Sequence, residues 1–231
     1  MGGSGYLGKA VTENFIGLYP SDAVIPIDLV GTEITADLTD SETLSAAFEA
    51  AVGARKIDSL TVVNCVSSAV FTPSSDRTMT EVKEVLMANI GTTIASINVL
   101  AEICERLACP GQIVNVSSIF STNAPRFEIY GDFARRSSEV YGASKAGVEQ
   151  LTRYYAKLLG PRKIRVNCVA PGGIYDPTLH TAAFGERYGE ATALGRMVHL
   201  DEVVNAIGFL ASDLSSGITG AVLNVDCGYG L

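Results

Sequence analysis

Two periods run through this chain. Short runs of consecutive apolar residues at 23–27, 59–63, 112–116, 164–169 and 221–225, with a shorter one at 34–36, read as strands. Between them, segments near 8–18, 41–53, 79–107, 140–159 and 200–212 carry apolar residues at helical spacing. Nearly continuous apolar strands are the mark of a parallel sheet buried on both faces. The alternation therefore predicts an α/β fold, a doubly wound parallel sheet with helices on both faces. No repeat or interdomain linker interrupts it, so residues 1–231 read as one domain. Two stretches break the rhythm, 119–140 and 175–195. Long loops at the carboxyl ends of parallel strands are where such sheets bind ligands, so both are candidate substrate loops.

The chain opens on Gly2-Gly-Ser-Gly5-Tyr-Leu-Gly8, and a helical pattern follows at once. Glycines at this spacing permit a tight turn, close approach of backbone to a pyrophosphate and a helix N-terminus aimed at the phosphates. The fingerprint calls for an acid roughly 20 residues on. Asp28 stands there, at the end of the 23–27 run. A carboxylate at that point accepts hydrogen bonds from the adenosine ribose and repels a 2′-phosphate, which favours NAD(H) over NADP(H). Such a loop should follow a strand, yet only Met1 precedes Gly2. The central first strand of the sheet is therefore expected to be absent from this sequence, through a truncated chain or a misplaced start.

Composition narrows the function. A net charge of −8 gives no phosphate-backbone footprint, which argues against nucleic-acid binding. No apolar run in the sequence reads as a membrane span, and no secretory leader is recognisable. The five cysteines match neither a zinc site nor a Cys-x-x-Cys pair, so no metal is expected. Together these features suggest a cytoplasmic protein with reduced thiols that acts on a small molecule.

Tyr141-Gly-Ala-Ser-Lys145 places a phenol and an ammonium on one helix face, about 5–6 Å apart at Cβ. A fixed positive charge favours the phenolate, which suits a tyrosine for acid/base work near neutral pH. Around it stand Gln112-Ile-Val-Asn-Val-Ser-Ser118, a strand ending in two serines, and Asn89 in a long helix. Arg165-Val-Asn-Cys-Val-Ala-Pro171-Gly172-Gly173 follows. In this ordered set the chain resembles the short-chain dehydrogenase/reductase family from Gly2 to its end. The resemblance implies a Rossmann-like fold and a homo-oligomer, commonly a dimer or tetramer. It implies Tyr141 as catalytic acid/base, Lys145 lowering the phenol's pKa and holding the nicotinamide ribose, Ser118 polarising the substrate oxygen, and Asn89 keeping a water in a proton relay. On the cofactor side it implies Gly2, Gly5, Gly8, Asp28, Asp37 facing the adenine amino group, Asn64, Tyr141, Lys145, Pro171, Gly172 and Ile174.

The chain also departs from the family pattern. The usual Asn-Asn-Ala-Gly reads Asn64-Cys-Val-Ser67, and Asp176 replaces a threonine, for which Thr178 is the nearest substitute. Only nine positions separate Asp28 from Asp37, too few for a helix. The insertion from Ser121 through Tyr130 and onward resembles members found with surface-sugar biosynthesis genes. Its Arg126, Arg135 and Arg136 could meet a phosphate or carboxylate. The leading function is an NAD(H)-dependent oxidoreductase interconverting a secondary alcohol and a ketone, the substrate a sugar derivative in one reading. A non-catalytic nucleotide sensor and a sugar-nucleotide epimerase or dehydratase are the alternatives.

Overall fold

The structure, a computed structural model, describes residues 1–20, 23–131 and 136–231. Six parallel strands form two sheets among the described residues. One pairs β1 (Ile27–Asp28) with β2 (Ile34–Thr35). The other runs in the order β3 (Leu60–Asn64), β4 (Gly111–Val116), β5 (Ile164–Pro171), β6 (Val222–Val225). The register aligns Val62 with Ile113 and Ile113 with Val166.

Alternate residues of each strand serve opposite faces. Val62, Ile113 and Val166 pack with α2 (Ser41–Val52), α4 (Thr92–Leu107) and α6 (Glu139–Leu159) through Leu44, Phe48, Ile97, Leu100 and Tyr155. Val114, Val116 and Val169 face α1 (Tyr6–Leu18) and α8 (Leu200–Leu210) through Val11, Val203 and Ile207. This two-sided burial is the reason the strand sequences read as unbroken apolar runs. The helical stretch Met79–Leu107 is long and apolar enough to cross a membrane, contrary to the sequence reading, but half of its most apolar window is buried and it lies against the sheet.

The expected gap is visible at the sheet's centre. Met1 and Gly2 run between the two sheets: the Met1 amino group donates to Val63 O at 2.7 Å, Cys65 N to Met1 O, and Gly2 N to Ile27 O. Below this rung, a slot of about 670 Å³ separates β1 from β3, walled by Val11 and Phe15 on one side and Phe48 and Val52 on the other. The expected 23–27 strand shrinks accordingly to Ile27–Asp28. Its upstream residues face the slot, and Pro26 has no N–H to give a ladder.

Three further helices complete the chain: α3 (Met79–Leu86), α5 (Phe127–Tyr130) and α7 (Ala182–Gly189). The last corrects the reading of 175–195 as loop throughout. Thr181 caps α7 by accepting from Phe184 N at 3.2 Å. Further on, the Arg196 guanidinium, with the His199 N–H, holds the Glu202 carboxyl down at about 2. Its folded pKa lies below the ordinary glutamate value near ~4.3. The stabilisation is therefore complete above that value and lost as pH falls toward 2. Urea midpoints should fall more steeply between pH 5 and pH 3 in the wild type than in Glu202→Gln.

Candidate active site

Helix α6 begins where Ser138 Oγ accepts from Tyr141 N at 3.3 Å. One turn further, Lys145 is 1% exposed. Its Nζ lies 5.6 Å from the centroid of the Tyr141 ring and donates to Val116 O at 2.9 Å. A buried ammonium needs such a partner, and the carbonyl at the end of β4 provides it. The phenol and the ammonium thus share one face of α6, as the spacing predicts.

Ser117 and Ser118 follow directly on β4. Ser118 Oγ caps a short turn, Ile119–Ser121, by accepting from Phe120 N at 3.3 Å. This turn presses against α6 at Gly142, where an added Cβ would stand 2.8 Å from Phe120 O. The glycine inside the Tyr-Lys motif therefore lets the serine turn close on the helix. Behind both lies Glu149, a buried carboxylate that sequence reasoning passed over. It accepts from Ser117 Oγ at 3.1 Å, from Ser121 Oγ, and from Arg153 at 3.4 Å, while Ser117 Oγ also donates to Lys145 O. Its position four residues after Lys145 was the available signal.

Asn89 sits in a single π turn, Met87–Gly91, between α3 and α4. Such turns inside helices often mark functional sites. Its Nδ2 donates to Ser68 O (2.9 Å) and Ser144 Oγ (2.8 Å), and its Oδ1 accepts from Ser68 N (2.7 Å). Ser144 Oγ in turn donates to Tyr141 O. Both amide hydrogens are spent, so the side chain ties the loop after β3 to α6 beside Lys145.

The glycine loop turns as its spacing predicts, but its members differ. Gly2 has φ +70°, and a Cβ there would meet Val66 N at 2.8 Å; one at Gly8 would meet Gly2 O at 1.8 Å. A Cβ at Gly5 would make only an ordinary 3.5 Å contact. Gly5 is instead the N-cap of α1, and no side chain caps that helix start. Asp28, at the tip of β1, accepts from Ser4 N (2.9 Å) and Ser4 Oγ (2.5 Å) on one oxygen and from Leu29 N on the other. Burial raises its carboxyl, but these bonds outweigh it and hold the group below its usual range. An uncapped helix start, a pinched glycine turn and an ionised acid at the neighbouring strand tip fit a dinucleotide's pyrophosphate and ribose.

The other expected cofactor residues divide. Asp37 is exposed, and its carboxylate turns back on Thr39 N and Oγ1. Asn64 is buried at the end of β3, donating to Asn115 Oδ1 (2.8 Å) and Ser96 Oγ (2.9 Å). Its Oδ1 is buried without a partner. Pro171 ends β5, Gly172 N donates to Val225 O, and Ile174 pairs with Val198 in an isolated parallel bridge. Thr178 and Asp176 bond to each other.

Beside Tyr141 opens a chamber of about 440 Å³, walled by Phe71, Phe120, Tyr130, Phe184, Tyr188 and Met197, with Ser67, Ser137, Gly173, Leu179 and His180 also on its lining. Tyr188 OH accepts from Gly173 N at 2.6 Å. Burial pushes the Tyr130 phenol up to about 12, unsuited to proton transfer near neutrality, so this competing phenol is a wall. Of the three insertion arginines, Arg126 stacks over the Tyr229 ring at 5.7 Å and Arg136 donates to Gly131 O; Arg135 lies outside the described residues. Among the described residues no cluster of side chains suits a metal ion.

Comparison with known proteins accords with this geometry. The family described as enoyl-(acyl carrier protein) reductase matches residues 24–230. Cyclohexanol dehydrogenase of Rhodococcus sp. is 32% identical over 90% of this chain and 76% of its own length. Post-translational flagellin modification protein A of Campylobacter coli is 40% identical over 52% of this chain, a stretch that spans only 46% of that relative. A short-chain dehydrogenase from Leptospira borgpetersenii, solved with bound NAD+, superposes with a TM-score of 0.88 at 32% identity, covering all of this chain and 91% of its own. The chain belongs to the short-chain dehydrogenase/reductase family, whose members are nicotinamide-dependent oxidoreductases.

Proposed function

We propose that the protein is an NAD(H)-dependent oxidoreductase that interconverts a secondary alcohol and a ketone and works as a homo-oligomer. The observation that carries the reading is the buried Lys145 ammonium 5.6 Å from the ring of Tyr141, which itself lines an open cleft. The nicotinamide, when bound, supplies or takes up the hydride. Tyr141 gives a proton to the substrate oxygen in reduction and takes it in oxidation. Lys145 favours the phenolate by its charge and binds the nicotinamide ribose. Ser118, at the end of β4, donates to the substrate oxygen as charge develops there. Asn89 holds the loop and helix around this centre and keeps a water in a proton relay to Lys145. Pro171, Gly172 and Ile174 line the nicotinamide side, and Asp37 and Asn64 the adenine side.

Asp28 supports the choice of NAD(H). Its ionised carboxylate is fixed by Ser4, so a 2′-phosphate would meet a like charge, at a cost of several kcal/mol. In Asp28→Asn the ratio of kcat/KM for NAD+ to that for NADP+ should fall at least about tenfold, roughly 1.4 kcal/mol of lost discrimination. An unmoved ratio would refute the role of Asp28. The whole reading is tested by NAD+ reduction with a panel of secondary alcohols. A sugar derivative stays within this substrate class.

A further inference from the structure

Tyr141, Lys145 and Glu149 follow one another at intervals of four residues along one face of α6. Proton transfer uses the first two and leaves the third without a role. Glu149 is 4% exposed, and a carboxylate buried this deeply needs donors. Arg153 is a distant one, 3.4 Å away and itself half exposed. The closer donors are two hydroxyls, Ser117 Oγ at 3.1 Å and Ser121 Oγ, both on Oε1. These two serines bracket Ser118, the residue given to the substrate oxygen.

The two ties are not equivalent. Ser117 Oγ has one hydrogen and two acceptors, Lys145 O at 3.0 Å and Glu149, so it stays bonded to α6 when the carboxylate is removed. Ser121 Oγ donates to Glu149, while its main-chain N–H closes the turn onto Ser118 O at 2.9 Å. Between them, Phe120 N donates to Ser118 Oγ, and Phe120 O lies over Gly142. Ser118 thus begins a turn whose far end is tied to α6 through Glu149. Loosening that end shifts the Ser118 hydroxyl relative to the Tyr141 phenol, because the same helix sets the place of both.

We propose that Glu149 is a positioning residue, which fixes the Ser118 turn on α6 so that the Ser118 hydroxyl and the Tyr141 phenol meet the same substrate oxygen. This rests on the alcohol–ketone reading above. The test compares Glu149→Met, which keeps the side chain's length and removes its oxygens, with Glu149→Gln, which keeps an acceptor at Oε1. Each is made in the wild type and in Ser118→Ala, and NAD+ reduction is followed with a panel of secondary alcohols. Glu149→Met should lower kcat about tenfold to a hundredfold, the scale of a misplaced reacting group, with NAD+ affinity unchanged. Glu149→Gln should recover most of that loss. In Ser118→Ala the Met substitution should cost less than about twofold more, because the residue it acts through is gone. Ser121→Ala cuts the same tie from the turn's side, leaves the helix intact and should lower kcat in the same way. Equal losses in both backgrounds, a Gln variant as poor as Met, or full kcat in Ser121→Ala overturns the proposal. Hydrogen exchange of the 118–121 backbone needs no turnover and separates the two readings. If no alcohol is oxidised, or Ser118→Ala keeps full turnover, the role given to Ser118 fails. Faster exchange in Glu149→Met with wild-type exchange in Glu149→Gln would then still support Glu149 as the holder of the turn, and any other pattern would end it.

Discussion

Tyr141→Phe is expected to lower kcat for alcohol oxidation by roughly three orders of magnitude, within the range that a positioned general acid/base contributes. The substitution removes one oxygen and keeps the ring. The ring centroid stands 5.6 Å from Lys145 Nζ, and the helix start is fixed by the Ser138 cap on Tyr141 N, which phenylalanine preserves. Lys145 keeps its bond to Val116 O, so the buried ammonium is not stranded by the change. Thermal midpoint and NAD+ affinity should therefore move little while turnover collapses. That separation is the sign of lost chemistry rather than lost structure. Turnover within a few-fold of wild type would reject Tyr141 as the acid/base. Tyr130 is not expected to take over the role, because burial pushes its phenol upward.

The features legible in the sequence are those set by local period or by one close pair of residues. Strands β4 and β5 announce themselves because both faces are covered, Ile113 serving one cluster and Val114 the other. The Tyr141–Lys145 pair is a property of one helix, and its spacing carries directly into space. The two stretches that wall the chamber, 119–140 and 175–195, stood out as candidate substrate loops, but nothing local marks Phe120 and Tyr130 as neighbours of Phe184 and Tyr188. The 23–27 run looked like a full strand because apolar content does not reveal whether a partner strand is present. Glu149 hid for a related reason. A carboxylate on a helix reads as solvent-facing until the Ser117–Ser121 turn is known to lie over it. The π turn at Asn89 had no sequence sign at all, since it changes the hydrogen-bond register without changing the apolar pattern.

Gly8→Ala should be the most damaging single methyl in the glycine loop. Its Cβ would stand 1.8 Å from Gly2 O, 2.7 Å from Gly2 C and 3.0 Å from Gly3 Cα, all backbone atoms that no rotamer change can clear. Either α1 shifts or the turn opens, and overpacking of this kind costs about 1–3 kcal/mol or more. The turn also carries the rung between the two sheets, where Met1 binds Val63 O and Gly2 binds Ile27 O. The damage should therefore reach both readouts: a lower thermal midpoint, and NAD+ affinity reduced tenfold or more as the helix start moves off the phosphates. Gly5→Ala separates the two effects. Its Cβ has room in the protein, so the midpoint should stay near wild type, while affinity falls because the added methyl occupies the uncapped helix start. Gly17→Ala, within α1 and with nothing near its Cβ, should raise stability by about 0.5–1 kcal/mol and leave affinity alone. If Gly8→Ala keeps its midpoint and its affinity, the loop is not the steric device that its spacing implies, and the phosphate site must lie elsewhere.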